Sequence, residues 1–287
     1  MTKSPVSVVI PARNEERNIE EALASVVWAD EVFVVDSHST DRTVERAEAG
    51  GATVVQFDYL GRGPRKKEWS LRNLPFRNEW VLLLDADERV TPELREEMEA
   101  AIARSDRDGY CVNIEFHFLG RRLRCFQRIW VTRLFRHRLG RFEDLGLNDL
   151  ADTGDNEIHE HVRVDGRLGY LRSTLRHEDR RNLDAWIERH NRYSTWEAHL
   201  YRRFRAEPIG IGPLGFLRLD PPAKRRVLRR VWVRVPFRPT IRFLIWYVVR
   251  GGFLDGSVGF VFCRLMAWYE LATNVKLREL ERHDSAS

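Results

Sequence analysis

The sequence predicts an α/β fold with a mostly parallel sheet, followed by a basic helical extension. Three observations carry this. Short apolar strand runs alternate with helical spacings through the first hundred residues, the pattern of βαβ units with right-handed crossovers. Those runs show little apolar–polar alternation, as expected of strands covered on both faces. Basic residues concentrate late. Residues 201–250 hold 13 of the chain's 48 Lys and Arg but only two of its 43 acids, Glu207 and Asp220.

The elements follow in order. Residues 7–10 form a short β-branched run that Pro11 ends. Residues 15–28 carry helical spacing, with Ile19, Leu23, Val26 and Val27 on one face. Residues 31–35 form a second strand reaching Asp36. Ser39 or Thr40 caps a helix through Ala49, which Gly50-Gly51 stops. Residues 52–57 read as a third strand, 61–64 as a loop and 65–74 as a helix. Residues 80–84 are a fourth, fully apolar strand ending at Asp85. Thr91 then serves as N-cap, with Pro92 at the first helical position.

Apolar and polar residues alternate from Tyr110 to Phe118, the period of a half-buried strand. Residues 130–136 predict another strand. Residues 137–165, rich in Gly, Asp and Asn, read as loops around a site. Residues 183–204 are helical and aromatic-rich, with Tyr193, Trp196 and Tyr201 expected in a core. Residues 208–222 read as a Gly/Pro hinge.

Composition bounds the class. The chain has 287 residues and 33.9 kDa, 43% hydrophobic and 32% charged, with mean hydropathy −0.46. A sizeable core and a soluble bulk follow, in one large domain with an appendage or in two modest ones. Cys111, Cys125 and Cys263 form no C-x-x-C pair. A disulfide framework and a cysteine zinc knuckle are therefore excluded, and a reducing compartment fits. No apolar segment precedes the first strand, so no secretory signal is expected. The net charge of +5 and pI near 9.3 split into a body of −6 and a segment of +11, because 35 basic and 41 acidic residues lie outside 201–250.

In open α/β sheets, ligands bind beyond the carboxyl ends of the strands. Three polar clusters fall there: Pro11-Ala12-Arg13-Asn14-Glu15, Asp36-Ser37-His38-Ser39-Thr40-Asp41, and Asp85-Ala86-Asp87-Glu88. No G-x-G-x-x-G follows the first strand and no P-loop motif exists, which argues against a dinucleotide cofactor and a P-loop NTPase. Asp85-x-Asp87 places two carboxylates where they can share a hard divalent cation, Mg²⁺ or Mn²⁺. An isolated D-x-D is more often a solvated acidic turn. The preceding apolar strand and the neighbouring clusters favour the cation. His159-Glu160-His161 lacks the H-E-x-x-H spacing of a zinc protease.

The run from Val8 to Glu15, then Val34-Val35-Asp36-Ser37-x-Ser39-Thr40-Asp41, then the run from Trp80 to Glu88 together resemble family 2 glycosyltransferases. Arg133-Leu134-Phe135, His159-Glu160, His177, Tyr193 and the run Gly251 to Gly256 look like the subgroup of lipopolysaccharide core β-1,4-glucosyltransferases acting on heptose. The resemblance implies a GT-A (Rossmann-like nucleotide-sugar-binding) domain and inverting transfer from a nucleotide-sugar. Pro11, Ala12, Arg13 and Glu15 would line the base and ribose site, with Ser39 beside them. Asp36 would hydrogen-bond the base, most often uracil. Asp85 would touch ribose or metal-bound groups beside Ala86, and Asp87 would be the main metal ligand. Arg65-Lys66-Lys67-Glu68 replaces the subgroup's Gln-Lys-Asn-type run. Either Lys66 or Lys67 would meet the diphosphate, or the run is a solvated helix face. His177 would close over the diphosphate or is an ordinary loop histidine.

An inverting transfer needs a base for the acceptor hydroxyl, worth roughly 10²–10⁴-fold. Candidates are Glu143, Asp144, Asp149, Asp152, Asp155, Glu157 and Glu160. Glu160 is the choice, because His159-Glu160 matches the subgroup's His-Glu motif. Asp144 is second, and His159 would orient the acceptor or diphosphate.

Residues 223–235 form a basic amphipathic helix. Val227, Leu228, Val231, Trp232 and Val235 face one side, and Lys224, Arg225, Arg226, Arg229, Arg230 and Arg234 the other. Such helices lie in membrane interfaces, where each Lys or Arg contributes about 1 kcal/mol near an anionic surface. The apolar run between Arg242 and Arg250 is too short to span a bilayer, and with residues 251–263, which carry one charge, it leaves a re-entrant or interfacial hairpin as a further reading. The alternative is a helix packed on the catalytic domain. The expected division is a catalytic domain over 1–205, with a donor half 1–104 and an acceptor half 105–205, and a membrane-associating region over 206–287. The expected partners are a nucleotide-sugar donor, a lipid-linked glycan acceptor and an anionic membrane surface, with no nucleic acid. The expected location is peripheral, on the cytoplasmic face of the inner membrane. The alternatives are a transferase acting on polyprenyl-diphosphate-linked sugars, with the same donor pocket, and a catalytically inactive membrane-bound scaffold that retains the fold, against which the intact Asp85-x-Asp87 and Glu160 argue.

Overall fold

The computed structural model describes residues 3–59, 64–127, 129–143, 161–210, 212, 215, 216, 219 and 221–286. In chain order the first elements are β1 (Ser4–Ala12), α1 (Ile19–Ala24), β2 (Ala29–Asp36), α2 (Thr43–Ala49), β3 (Thr53–Gln56) and α3 (Lys66–Asn73). Then come β4 (Trp80–Leu83), β5 (Glu88–Val90), α4 (Pro92–Arg104), β6 (Gly109–Phe118), β7 (Arg121–Arg122) and β8 (Trp130–Arg136). β9 (Gly140–Phe142), β10 (Val162–Val164) and β11 (Leu168–Glu178) complete the strands.

The main sheet runs β3-β2-β1-β4-β8-β6-β11-β5, with β7 paired on β6. The first four strands are parallel, as expected. β8 is antiparallel to both β4 and β6, β11 is parallel to β6, and β5 is antiparallel to β11. The sheet is therefore mixed rather than mostly parallel. The short connection from β6 to β8 leaves no room for a helical crossover, and a parallel return needs one.

Both faces are covered. Val8, Ile10 and Leu82 pack with Ile19, Leu23, Leu94 and Met98. Val9, Val35, Val81 and Leu83 pack with Phe57, Leu74 and Phe135 on the other side. The central residues of β1, β2 and β4 thus meet apolar neighbours on both faces, which explains the apolar runs.

Several local expectations change. β1 continues through Pro11, which pairs with Val35. The β4 ladder reaches only Val9 on β1, so the missing proline N–H breaks no bond there. α1 is shorter than the helical spacing suggested. Ser39 and Thr40 do not cap α2, whose N-cap is Arg42 without a side-chain bond. Thr91 does cap α4, its Oγ1 accepting from Leu94 N at 3.2 Å. β6 is buried on both faces over Gly109, Tyr110, Cys111 and Val112, and alternates only further on. β9 and β10 pair with each other where loops were expected. Residues 144–160 lie outside the described residues.

The chain divides into Met1–Asn182 and Leu183–Ser287. The second unit holds α5 (Leu183–Ala206), α6 (Pro221–Trp232), α7 (Arg238–Leu244), a π turn (Ile245–Val249), a 3-10 turn (Gly252–Asp255) and α8 (Gly256–Ala286). α5, expected from the sequence to belong to the catalytic domain, packs on α8 within the second unit. Trp196 and Tyr201 of α5 are buried, as core residues should be. Glu270 of α8 is fully buried, with Arg238 Nε at 3.2 Å and Arg242 Nη2 at 2.5 Å. α6 buries Val227 but exposes Leu228 and Val231. Among the described residues, no single helix is long and apolar enough to cross a membrane. Arg238–Val249 and Gly252–Arg282 meet that length and composition only together, bent by 71°.

Candidate active site

The carboxyl ends of β1 and β2 are stitched together. Ala12 pairs with Asp36, and the loops beyond them exchange bonds. Asn14 N donates to Ser39 Oγ at 2.8 Å, Thr40 N to Asn14 Oδ1 at 2.8 Å, and Glu15 N to Thr43 Oγ1 at 2.7 Å. Asn14 and His38 both adopt positive φ, 55° and 51°. This is why Ser39 and Thr40 are not helix caps: their polar groups hold the β1 loop. Asp36 is fully buried, and its carboxylate accepts from both the N–H (2.8 Å) and the hydroxyl of Ser39. Pro11 is half-buried and Arg13 exposed at this edge.

The two lysines diverge. Lys66 is buried and donates from Nζ to Ala12 O at 2.7 Å, bracing the end of β1. Lys67 Nζ lies 2.6 Å from Asp85 Oδ1. Arg133 Nη2 lies 2.6 Å from Asp85 Oδ2 and 2.5 Å from Glu88 Oε1. Register explains the reach. Leu134 pairs with Leu82, so the antiparallel β8 brings Arg133 level with the end of β4. Asp85 N also donates to Glu88 Oε2 at 2.9 Å, closing the Asp85–Glu88 turn on itself.

Asp87, between those two acids, faces another way. Its Oδ1 lies 3.4 Å from His177 Nδ1, and its carbonyl accepts from Glu178 N at 2.9 Å. His177 pairs with Glu88 across the β11–β5 ladder, and its ring packs on Phe116 with centroids 4.6 Å apart. Ala86 is buried, and its carbonyl accepts from Arg89.

Glu15 joins the same edge from the side. Arg181 Nη1 lies 2.7 Å from its Oε1, and Asn18 Nδ2 donates to its Oε2 at 2.8 Å. Asn18 also donates to Asp179 Oδ1 at 3.1 Å and accepts from Arg180 N at 3.0 Å, tying the β1 loop to the chain beyond β11.

Burial and charge set the protonation. Burial raises Glu15 to about 7 against the pull of Arg181, with Asp87 adding to the rise. Burial likewise raises Glu88 to about 7, although Arg133 lowers it. Burial alone would raise Asp85, but Arg133 and Lys67 together outweigh it and hold that carboxyl well below the usual range.

A divalent cation finds a partial donor set. Among the described residues, no three His, Cys, Asp or Glu side chains gather as a preformed centre. Asp87 and His177 offer one oxygen and one nitrogen on the same side of the turn, whereas both Asp85 oxygens meet cationic side chains. Such a pair suits an ion whose other ligands come from substrate phosphate. Asp144, His159 and Glu160, the base candidates and their neighbour, lie outside the described residues.

Sequence reasoning did not assign the roles of Arg133, Glu88, Asn18 and Arg181. A lone arginine among the apolar residues Val131, Leu134 and Phe135 was the available signal for Arg133.

A four-stranded parallel half joined to a mixed half, with acids beyond β1, β2 and β4, defines a GT-A-type α/β fold. The mannosyltransferase PcManGT of Pyrobaculum calidifontis, solved with GDP-Man and Mn²⁺, shares the fold with a TM-score of 0.51 at 18% identity, over 96% of this chain and 88% of its own. Residues 7–154 match the family model described as Glycosyl transferase family 2, and the chain belongs to that family. An uncharacterized glycosyltransferase of Rickettsia bellii is 28% identical over 96% of this chain and 86% of its own length. The lipopolysaccharide core biosynthesis glycosyltransferase LpsC of Rhizobium meliloti is 26% identical over 98% of this chain and 94% of its own.

Proposed function

We propose that this family 2 glycosyltransferase moves a sugar, with inversion, from a UDP-glucose-type donor to a hydroxyl of a lipid-carried envelope glycan such as lipopolysaccharide inner core. One observation carries the donor side: Asp87 and His177 meet at the edge where β1, β2 and β4 end. These two residues would hold Mg²⁺ or Mn²⁺, which would supply Lewis-acid neutralisation of charge on the departing diphosphate.

The chain's own groups do the rest. Asp36, braced by Ser39, accepts from the base N–H, while Pro11, Ala12 and Arg13 line base and ribose. Arg133 and Lys67 hold Asp85 ionised beside the ribose and keep the turn that aims Asp87. Glu160 takes the acceptor proton, with His159 orienting the acceptor and Asp144 as the second candidate. The full-length likeness to LpsC supports the envelope acceptor. Such an acceptor puts the enzyme at the cytoplasmic face of the inner membrane.

The test is a screen of nucleotide-sugars by calorimetry and slow hydrolysis, with and without Mn²⁺. UDP-hexoses are expected to bind only with metal. If no nucleotide binds with either Mg²⁺ or Mn²⁺, the donor reading is overturned.

A further inference from the structure

Large apolar side chains stand in water where α7 and α8 meet. Val248 is 55% exposed, Val249 79%, Phe253 51% and Leu254 62%. Trp268 and Leu271 continue the exposed apolar stripe along α8 at helical spacing. An apolar cluster of this kind marks a contact surface.

The bend that presents them is tightly built. Gly251 adopts φ 77°. A Cβ on Gly259 would overlap the Gly252 carbonyl, and one on Gly252 would lie 2.8 Å from Cys263 Sγ. Glycine at these positions lets the two limbs close, with Phe262 and Cys263 buried inside the turn. Val248, Val249, Phe253 and Leu254 are left on its outside.

Charge identifies the occupant. Between Arg238 and Tyr269 the chain carries four arginines and one acid, Asp255. Arg238 and Arg242 turn inward to Glu270. Arg250 and Arg264 are exposed, their guanidinium groups 4.5 Å from the Trp246 ring centre and 5.8 Å from that of Phe243. Arginines stacked on aromatic rings beside an aliphatic tip suit lipid phosphates above and acyl chains below. Neither limb alone is long and apolar enough to cross a bilayer, so the contact is shallow.

We infer that the α7–α8 bend is a wedge that inserts Val248, Val249, Phe253 and Leu254 into one leaflet of an anionic bilayer, with Arg250 and Arg264 at the headgroup phosphates. Of the two membrane-contacting segments that the sequence suggested, α6 and an interfacial hairpin after Arg242, the contact is thereby assigned to the second. The inference deepens the membrane side of the reading above and is independent of the donor chemistry.

The test is flotation of the full chain, without nucleotide, on vesicles of phosphatidylcholine alone or with phosphatidylglycerol in equal parts. Retention is expected on the anionic vesicles. Val249→Asp combined with Phe253→Asp is expected to reduce it at least about tenfold. Arg250→Gln combined with Arg264→Gln is expected to reduce it about tenfold and remove the anionic preference. Leu228→Asp on α6 is expected to leave retention unchanged. Thermal unfolding and Mn²⁺–UDP binding of all variants should match wild type, separating lipid contact from folding. Tip variants that float like wild type, or wild type retained by neither vesicle, would overturn the wedge. So would a wild-type dimer that the tip variants dissociate, since the face would then join two copies. Absent UDP binding with normal flotation would sink the donor reading alone.

Discussion

Asp87 Oδ1 lies 3.4 Å from His177 Nδ1, although one residue follows β4 and the other sits near the end of β11. The β11–β5 ladder makes the meeting possible, because His177 pairs with Glu88 and Glu178 N bonds the Asp87 carbonyl. The pair is therefore held together by backbone pairing between β11 and the Asp85–Glu88 turn.

Breaking the pair is expected to remove metal-dependent nucleotide binding. Asp87→Asn or His177→Ala should weaken Mn²⁺ affinity by at least about 100-fold, since even an outer-shell partner typically contributes 10–100-fold. Calorimetry of UDP with and without Mn²⁺ reads this. Unchanged metal dependence in both variants would take the pair out of the donor site.

Arg133 neutralises two carboxylates at once. Arg133→Met leaves buried Glu88 with only the Asp85 N–H and no cationic partner, and is expected to cost about 3–5 kcal/mol in urea unfolding. Arg133→Lys should recover only part, because an ammonium cannot fork between Asp85 and Glu88 as a guanidinium does. Wild-type stability in the Met variant would show that the cluster contributes little to the fold.

Glu15 predicts a pH slope. Its carboxyl is raised from 4.5 to about 7 in the folded protein, so between these values the folded state holds the proton more tightly than the unfolded one. Stability from this group is fully present below the unfolded value and falls as pH rises, by up to about 3 kcal/mol. Asp85 works in the opposite direction. Its depressed carboxyl contributes stability that is lost only in acid, as pH falls below its unfolded value. Urea midpoints across this range should slope downward in wild type and less steeply in Glu15→Gln, the remaining slope coming from Glu88, which is raised in the same direction. An equal slope in both would assign the effect elsewhere.

The base prediction rests on sequence. Glu160→Gln should lower kcat roughly 10²–10⁴-fold with donor affinity intact. Should Glu160→Gln turn over normally while Asp144→Asn does not, the assignment passes to Asp144.

Much of the donor edge was legible in the sequence. Asp36, Asp85 and Asp87 end or follow apolar runs, and a strand's end is a local property. Thr91-Pro92 is equally local, and its cap forms as the residue types require. Ser39 and Thr40 were misread because cap chemistry and loop-stapling chemistry use the same hydroxyl and N–H groups. Only the Asn14 loop beside them decides between the two roles. The local setting of Arg133 marks it as unusual but does not name its partners, since both belong to another strand's turn.

By itself the sequence determined the parallel half of the sheet, the three acidic strand ends and the basic character of the later chain. Each follows from spacing and composition within a few residues. Tertiary structure alone decided that β8 returns antiparallel, that Arg133 and Lys67 occupy Asp85, and that His177 rather than Asp85 stands beside Asp87. It also put α5 with α8 and exposed the α7–α8 bend. These outcomes depend on strand register and helix packing between distant segments, where the competing contacts differ only in which partners the fold brings within reach.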